Sequence, residues 1–289
     1  MLGQFLIAFR ETLEAALIIA IVLAYLTRTG RKPLIPYIWY GVYLASAVSL
    51  ILGVSTWLVY GTLSKAIQVL FEGSASLLAV TILSSMIYWM ATKGKELRME
   101  VEKRVEILAT LGATLALVSF SFIAVFREGF ETVLFLTPFL VTDFLGTVTG
   151  ASLGMLASLA LAYAIFVVGM RIDIRRFFYF TSILLVFLAG GLAGYGIHEL
   201  IEFSELSGVE LGWFAEPAYN LNIPGSSVFH HEGAIGSIFA VMFGYTVKAE
   251  WGRLIFHLAY LSVVLPFVIR IYRKQRWKLG SCTRKKLPK

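Results

Sequence analysis

The sequence predicts an all-α membrane protein with seven transmembrane helices, arranged as two inverted three-helix repeats followed by a seventh helix. Three observations support this prediction: the composition, the length of the apolar segments, and a five-residue motif that occurs twice. Hydrophobic residues make up 58% of the 289 residues and charged residues only 15%, whereas soluble domains contain about 25% charged residues. Long apolar runs are typical of helices that satisfy their own backbone hydrogen bonds in lipid.

Seven apolar segments are long enough to cross a bilayer, which takes about 20 residues. They are roughly Phe5–Leu26, Ile38–Tyr60, Ile67–Ala91, Ile107–Leu140, Val148–Met170, Phe178–Leu200 and Leu254–Ile271. The fourth segment is longer than a span requires, and Pro138 is expected to end or kink it near its outer end. A shorter run, Gly233–Val247, is interpreted as a re-entrant or surface-lying helix, because a further span would place the basic tail outside.

The chain is interpreted as one transmembrane domain, 1–289. Repeat one covers about 1–92 and repeat two about 107–202, an outer loop follows at 203–253, and helix seven with a basic cytoplasmic tail fills 254–289. Most of the 25 Lys and Arg residues then fall on one side of the membrane. This distribution predicts that the N-terminus lies outside and the C-terminus in the cytoplasm, in the cell membrane.

Basic residues at helix ends favour lipid contact over nucleic acid as the explanation of the net charge of +7. No basic region precedes the first apolar run, so Met1–Leu26 is not expected to be a cleaved signal peptide. Cys282 is the only cysteine, which excludes a disulfide framework and a thiolate metal site within the chain.

The repeated motif is RETLE at 10–14 in helix one and REGFE at 127–131 in helix four. Each copy opens a three-helix unit, and the two units have opposite predicted topology. Inverted repeats of this kind are typical of transporters whose substrate site lies at the repeat interface. The motif therefore predicts a transport site to which both repeats contribute.

Charges inside a membrane span are costly, at about 2.5–3.5 kcal/mol for each ion at a helix centre. Residues three and four apart share one helical face, so Glu11 and Glu14 point the same way and Arg10 can reach Glu14. Four carboxylates against two guanidiniums leave a charge of −2, which a multivalent cation would balance. Carboxylate oxygens suit hard cations such as Mg²⁺, Ca²⁺, Mn²⁺ and iron. The alternative is a structural charge network that binds no ion.

Further acids lie near the predicted outer face. His198, Glu199, Glu202 and Glu205 end helix six, Glu72 opens helix three, and His230, His231 and Glu232 lie in the outer loop. Acids at an external mouth would concentrate cations, although such residues are also common as solvated interfacial groups. The candidate metal ligands are Glu11, Glu14, Glu128, Glu131, Glu72, Glu199 and Glu202, with Arg10 and Arg127 as charge-balancing groups.

No catalytic or cofactor-binding residue is predicted. The segment His198-Glu199-Leu200-Ile201-Glu202 lacks the second histidine of a zinc protease motif. Glycines of helix six, such as Gly190, Gly194 and Gly196, form no phosphate loop and are expected to let helices approach closely. An enzyme is therefore not the favoured interpretation.

The two RExxE motifs in helices one and four resemble those of the oxidase-dependent iron transporter family, the iron permeases of fungi and their bacterial and archaeal relatives. This resemblance implies that iron is a transported substrate, that no cofactor is required, and that the motif glutamates are ligands during translocation. It also implies an external partner, either a ferroxidase or an extracytoplasmic iron-handling protein.

The favoured function is a permease that imports iron ions through a carboxylate-lined site built from both motifs. One alternative is a permease for another divalent metal such as lead or manganese. Another is a membrane-embedded metal sensor or metalloenzyme that uses the same glutamates. Directional accumulation of metal distinguishes a permease from a metal sensor and from a metalloenzyme. The oxidation state of the iron and the driving force stay open at this point.

Overall fold

The computed structural model describes residues 1–93, 97–110, 112–166, 168, 174–224, 227–229, 236, 239–240 and 244–284, and most of them are helical. The helices are α1 (Leu2–Arg28), α2 (Ile35–Tyr60), α3 (Lys65–Lys93), α4 (Leu97–Thr110), α5 (Thr114–Thr142), α6 (Phe144–Phe166), α7 (Ile174–Leu206) and α8 (Trp251–Arg284). Two short strands, β1 (Pro217–Asn220) and β2 (Lys248–Glu250), pair antiparallel. The prediction of a helical membrane protein is confirmed at this level.

Five helical segments of the described chain are long and apolar enough to cross a membrane. They are Lys32–Tyr60, Lys65–Thr92, Phe144–Phe166, Tyr179–Leu206 and Trp251–Arg273. Large apolar side chains on these helices face outward; Leu50 of α2, for example, is 70% exposed. Helices α1 and α5 are not in this set, because each contains the three charged residues of its RExxE motif. The protein is therefore a multi-pass membrane protein, while the count of seven spans stays a prediction.

The predicted fourth segment, Ile107–Leu140, was wrong at its start. Helix α4 ends at Thr110, Gly112 adopts a positive φ of 63°, and α5 begins only at Thr114. A positive φ interrupts a right-handed helix and is strain-free for glycine. Pro138 also does not end the helix, because α5 continues to Thr142.

Helix α4 was absent from the prediction because its charged residues hide an apolar face. Val101, Val105 and Ala109 recur every four residues and are buried in a hydrophobic cluster that includes Leu26 of α1 and Leu117 of α5. Spacing of four residues places side chains on one helical face. Helix α4 is thus an amphipathic helix that packs on α1 and α5.

The chain forms two compact units. The first contains Met1–Gln68 and Lys95–Ile172, and the second contains Val69–Gly94 and Asp173–Lys289. In the first unit α1 packs along α6 and α2 packs along α5. The first helix of each predicted repeat therefore packs against the second helix of the other repeat. Two structurally equivalent repeats would pack reciprocally in this way.

Glycines on α6 permit its close packing against α1. A Cβ atom on Gly150 would lie 2.8 Å from the carbonyl oxygen of Met1, and one on Gly154 would overlap the backbone of Phe5 and Phe9. Small residues four apart let membrane helices approach each other closely. Because the overlapping atoms belong to the backbone, they cannot move aside as a side chain would.

We expect Gly154→Ala to destabilise the protein. Overpacking of a close contact costs about 1–3 kcal/mol, which exceeds the gain of about 1 kcal/mol from the higher helix propensity of alanine. The control is Gly53→Ala on α2, where the new Cβ would lie 3.4 Å from Cγ2 of Val133, an ordinary contact. Thermal unfolding of both variants in detergent measures the difference, and equal midpoints would contradict the packing argument.

In the second unit, the glycines of α7 permit close contacts with α3 and α8. A Cβ atom on Gly196 would lie 3.1 Å from the carbonyl oxygen of Gly73 on α3, and Gly190 and Gly194 face His257 and neighbouring residues of α8. The expectation that these glycines let helices approach closely is confirmed. The predicted outer-loop run Gly233–Val247 lies mostly outside the described residues.

Candidate metal sites

The two RExxE motifs meet in the first unit. One carboxylate oxygen from each of Glu11, Glu128 and Glu131 lies within 4.8 Å of the others. Glu11 and Glu128 are 0% and 1% exposed, and Glu131 is partly buried. Helices α1 and α5 thus place three acids around one buried point. Glu14 is also buried, but its carboxylate is not part of this three-acid group.

Arg10 is enclosed by the first motif. Its Nη1 lies 3.2 Å from Oε1 of Glu11, and its Nη2 lies 3.0 Å from Oε1 of Glu14, one helical turn further on. The guanidinium is only 1% exposed. Because two carboxylates share a single guanidinium, the first motif has a net negative formal charge when both acids are ionised.

Arg127 repeats this local geometry in the second motif but lies nearer the surface. Its Nε donates a hydrogen bond to Oε1 of Glu128 at 3.0 Å, and the same nitrogen lies 3.8 Å from Oε1 of Glu131. The side chain of Arg127 is 49% exposed. The two motifs therefore share their spacing and their ion pairs but differ in burial.

Each member of the three-acid group also carries an oxygen without a hydrogen-bond donor. Oε2 of Glu11, of Glu128 and of Glu131 is buried and has no hydrogen-bond partner among the described residues. Leaving a buried polar atom unpaired is costly, and the cost is larger for a charged group. A cation among these oxygens would remove that cost and would also reduce the repulsion between the carboxylates.

A second group of candidate ligands lies at the end of α7, in the second unit. Ligand atoms of His198, Glu199 and Glu202 lie within 4.8 Å of one another. Nδ1 of His198 forms a hydrogen bond with Oε2 of Glu250 at 3.1 Å. The other ring nitrogen, Nε2, is therefore available as a metal ligand. A carboxylate on one ring nitrogen is the usual way in which proteins orient a histidine toward a metal.

Glu250 lies at the end of β2, next to this group. Burial alone would raise the pKa of Glu250, but the hydrogen bond and the charge of His198 outweigh burial and lower the pKa below its ordinary value. Glu250 therefore stays ionised and holds the imidazole in place. Its role was missed from the sequence, because 52 residues separate it from His198.

Glu72 has a different environment from the predicted one. It lies in the third turn of α3, which begins at Lys65, so the prediction that it opens the helix was wrong. The hydroxyl of Tyr195 donates a hydrogen bond to Oε2 of the buried Glu72 and is also within hydrogen-bonding reach of Glu199. Tyr195 precedes Glu199 by one helical turn, a spacing that the sequence offered.

Among the described residues, one further predicted acid is not brought into a site. Glu205 is exposed and is not part of the group formed by His198, Glu199 and Glu202. His230, His231 and Glu232 lie outside the described residues.

Comparison with known proteins identifies the family. The model of the iron permease FTR1 family matches residues 1–272. The chain belongs to this family. The resemblance to iron permeases that the two RExxE motifs suggested is therefore confirmed, and the family makes iron the transported substrate of this permease.

Three relatives cover most of the permease. A protein of Archaeoglobus fulgidus, named only as uncharacterized, is 46% identical over 272 residues, which are 94% of this chain and 96% of the relative. The ferrous iron permease EfeU of Yersinia pestis is 32% identical over 286 residues, 97% of this chain and 96% of the relative. EfeU of Escherichia coli O6:H1 is 35% identical over 250 residues, 85% of this chain and 87% of the relative. No solved structure matches the permease.

Proposed function

We propose that this permease imports iron ions across the cell membrane into the cytoplasm, through a carboxylate site built from both RExxE motifs. The observation that carries the proposal is the convergence of Glu11, Glu128 and Glu131 in the first unit. Three clustered carboxylates, two of them buried and one partly buried, cannot all remain ionised next to each other without a compensating charge. A divalent cation supplies that charge and accepts the oxygens that lack a hydrogen-bond donor.

The arginines of the motifs limit repulsion while no ion is bound. Arg10 is paired with Glu11 and Glu14, and Arg127 with Glu128 and Glu131. Each guanidinium neutralises one of its two acids, so the site keeps enough negative charge to attract a cation but not so much that the empty state is unstable. Glu14 contributes to this charge and enters the coordination sphere as the ion moves.

The acids of the second unit collect the ion before it reaches the motifs. Glu199 and Glu202, together with His198 and the nearby Glu72, form the entrance in this proposal. The Lys and Arg distribution favours an outer location for the end of α7. The reciprocal packing of α1 on α6 and of α2 on α5 supports the interpretation as two inverted repeats, which is typical of alternating access.

Ferrous iron is the cargo that the relatives favour. The EfeU proteins of Yersinia pestis and Escherichia coli are named ferrous iron permeases. The carboxylates of the motif group, and the two carboxylates and one histidine at the end of α7, suit Fe²⁺ as well as Mn²⁺. We infer that Fe²⁺ is transported in preference to other divalent ions. Any ferroxidase or extracytoplasmic iron-handling protein acts outside the membrane, before the ion reaches the permease.

Uptake of radioactive iron into sealed proteoliposomes tests the proposal. The purified full chain is reconstituted, and ⁵⁵Fe²⁺ is added with ascorbate, across an imposed membrane potential and across an imposed proton gradient. We expect accumulation that empty liposomes lack and that unlabelled Fe²⁺ inhibits more strongly than Mn²⁺ or Pb²⁺. Iron that binds at equilibrium but never accumulates under either gradient would overturn the proposal and favour a metal sensor.

Glu202→Gln tests the entrance group. We expect the iron concentration for half-maximal uptake to rise about tenfold, since a factor of ten corresponds to about 1.4 kcal/mol of lost interaction with the ion, while the maximal rate changes little. Glu205→Gln is the matched control, because Glu205 is exposed on the same helix and lies outside the group. Initial rates over a range of iron concentrations give both constants. Equal half-maximal concentrations in the two variants would contradict the entrance role.

A further inference from the structure

The second unit contains a cavity that the proposed transport pathway does not use. Its volume is about 410 Å³, within the range of about 300–1,000 Å³ that is usual for ligand pockets. Gly191 and Gly194 of α7 line one side, and Leu254, Leu258 and Leu261 of α8 line the other. None of the candidate metal ligands lines this cavity. Its wall is mostly apolar.

Arg253 and His257 form the polar part of the wall. They lie one turn apart on α8 and therefore share a helical face. In the described part of the chain, the guanidinium of Arg253 forms neither an ion pair nor a hydrogen bond, although Glu250 and Tyr219 are close enough to act on it through their charges. His257 is only 8% exposed, and its Nδ1 has no hydrogen-bond partner among the described residues.

Part of the cavity wall belongs to the exposed surface of α8. Leu258 lines the cavity and is nevertheless 54% exposed. The neighbouring residues Ile255, Phe256 and Val263 of the same membrane-spanning helix are also exposed. Arg253 lies near the start of that span, Trp251–Arg273, where the side chain can reach the depth of lipid headgroups.

We propose that this cavity binds an anionic phospholipid, with its phosphate on Arg253 and His257 and part of an acyl chain against Leu258 and Leu261. A guanidinium binds phosphate oxygens through two parallel hydrogen bonds. Free phosphate shares this chemistry but would leave the leucine-lined part of the cavity in contact with water. An amphipathic anion satisfies both parts of the wall.

Tyr219 adds a further donor at the polar end. It also lines the cavity, and burial raises the pKa of its phenol above the ordinary value, although the charge of Arg253 acts in the opposite direction. The hydroxyl therefore stays protonated at neutral pH and can donate to a phosphate oxygen. Tyr219 therefore supplies a third polar group beside Arg253 and His257 of α8.

Thermal unfolding of the purified full chain in detergent tests the proposal. In the wild type, we expect phosphatidylglycerol to raise the midpoint temperature of unfolding more than phosphatidylcholine does. Arg253→Lys and Arg270→Gln should keep this difference between the two lipids. Arg253→Gln should lose it. Arg270 is the matched control because it is exposed on the same helix and does not line the cavity. Millimolar inorganic phosphate is expected to have no effect.

A second experiment blocks the cavity mouth after folding. In a Cys282→Ser background, Leu258→Cys is labelled with N-benzylmaleimide, and Val263→Cys, which is 69% exposed and does not line the cavity, is labelled as the control. We expect labelling to abolish the phosphatidylglycerol effect only at position 258.

Three results would overturn the proposal: an unchanged lipid effect in Arg253→Gln, an unchanged effect after labelling at position 258, or an equal effect of inorganic phosphate, which would indicate a site for soluble anions. The measurement involves no iron. Its failure therefore leaves the proposed transport function untouched, and the reverse also holds.

Discussion

We expect Glu128→Gln to reduce iron uptake into proteoliposomes at least roughly 100-fold, a loss of about 2.8 kcal/mol on the scale of tenfold per 1.4 kcal/mol. Two unit charges about 4 Å apart interact by about 4 kcal/mol at an effective dielectric constant of about 20. Removing one of the three converging carboxylates therefore removes enough interaction with the ion to produce this effect. Uptake of ⁵⁵Fe²⁺ at subsaturating iron measures it.

Glutamine is the informative replacement because the two oxygens of Glu128 have different environments. Oε1 accepts a hydrogen bond from Nε of Arg127 at 3.0 Å, whereas Oε2 is buried without a hydrogen-bond partner among the described residues. A glutamine keeps an acceptor for Arg127 and places an amide nitrogen where the unpaired oxygen was. An amide nitrogen does not bind a hard cation, so the variant removes the ligand and preserves the shape.

The matched control is Glu106→Gln on α4, because Glu106 is exposed and lies outside both candidate ligand groups. It should transport iron at the wild-type rate. Both variants must elute as single species in detergent before uptake is compared. Wild-type uptake by Glu128→Gln would contradict the central site. Loss of uptake with unchanged equilibrium binding of iron would instead assign Glu128 to a step after binding.

The local geometry of the site could be predicted from the sequence, because helical periodicity alone determines it. Arg10 and Glu14 are four residues apart, and the structure places their charged atoms 3.0 Å apart. Periodicity specifies a face but not which side chains converge across two helices. The four motif acids were expected to act together, and the described structure brings only Glu11, Glu128 and Glu131 within coordination distance.

Contacts between distant segments were the part that the sequence did not provide. Tyr195 and Glu72 are 123 residues apart, and His198 and Glu250 are 52 apart, so no spacing rule connects them. Tyr195 alone had a local signal, since it lies one turn before Glu199. Helix α4 was missed for a different reason: its charged residues make 97–110 too polar for a span, and its apolar face consists of only a few residues, among them Val101, Val105 and Ala109.

We expect Arg10→Met to destabilise the protein by about 3–5 kcal/mol, because removing one partner of a buried ion pair leaves an uncompensated buried charge. Arg10 is 1% exposed and is paired with both Glu11 and Glu14. Methionine has a similar length and suits an apolar surrounding, so the missing charge is the main change. Thermal unfolding in detergent at neutral pH measures the loss.

The control is Arg104→Met, which breaks an ion pair of the same four-residue spacing on α4. Nη2 of Arg104 lies 2.7 Å from Oε1 of Glu100, closer than in the buried pair, but the two side chains are 64% and 54% exposed. Pairs in water contribute about 0–1 kcal/mol, so this variant should unfold near the wild-type midpoint. Equal losses of stability in Arg10→Met and Arg104→Met would show that burial does not determine the strength of the ion pair.

A triple variant separates the structural role of Arg10 from the transport role of the acids. Arg10→Met combined with Glu11→Gln and Glu14→Gln removes the buried charges together, so most of the lost stability should return. Iron uptake should nevertheless stay at the level of empty liposomes, because the ligands of the first motif are gone. A stable triple variant that still accumulates iron would mean that the acids of α1 are not ligands, and the transport site would then have to be sought in the second motif alone.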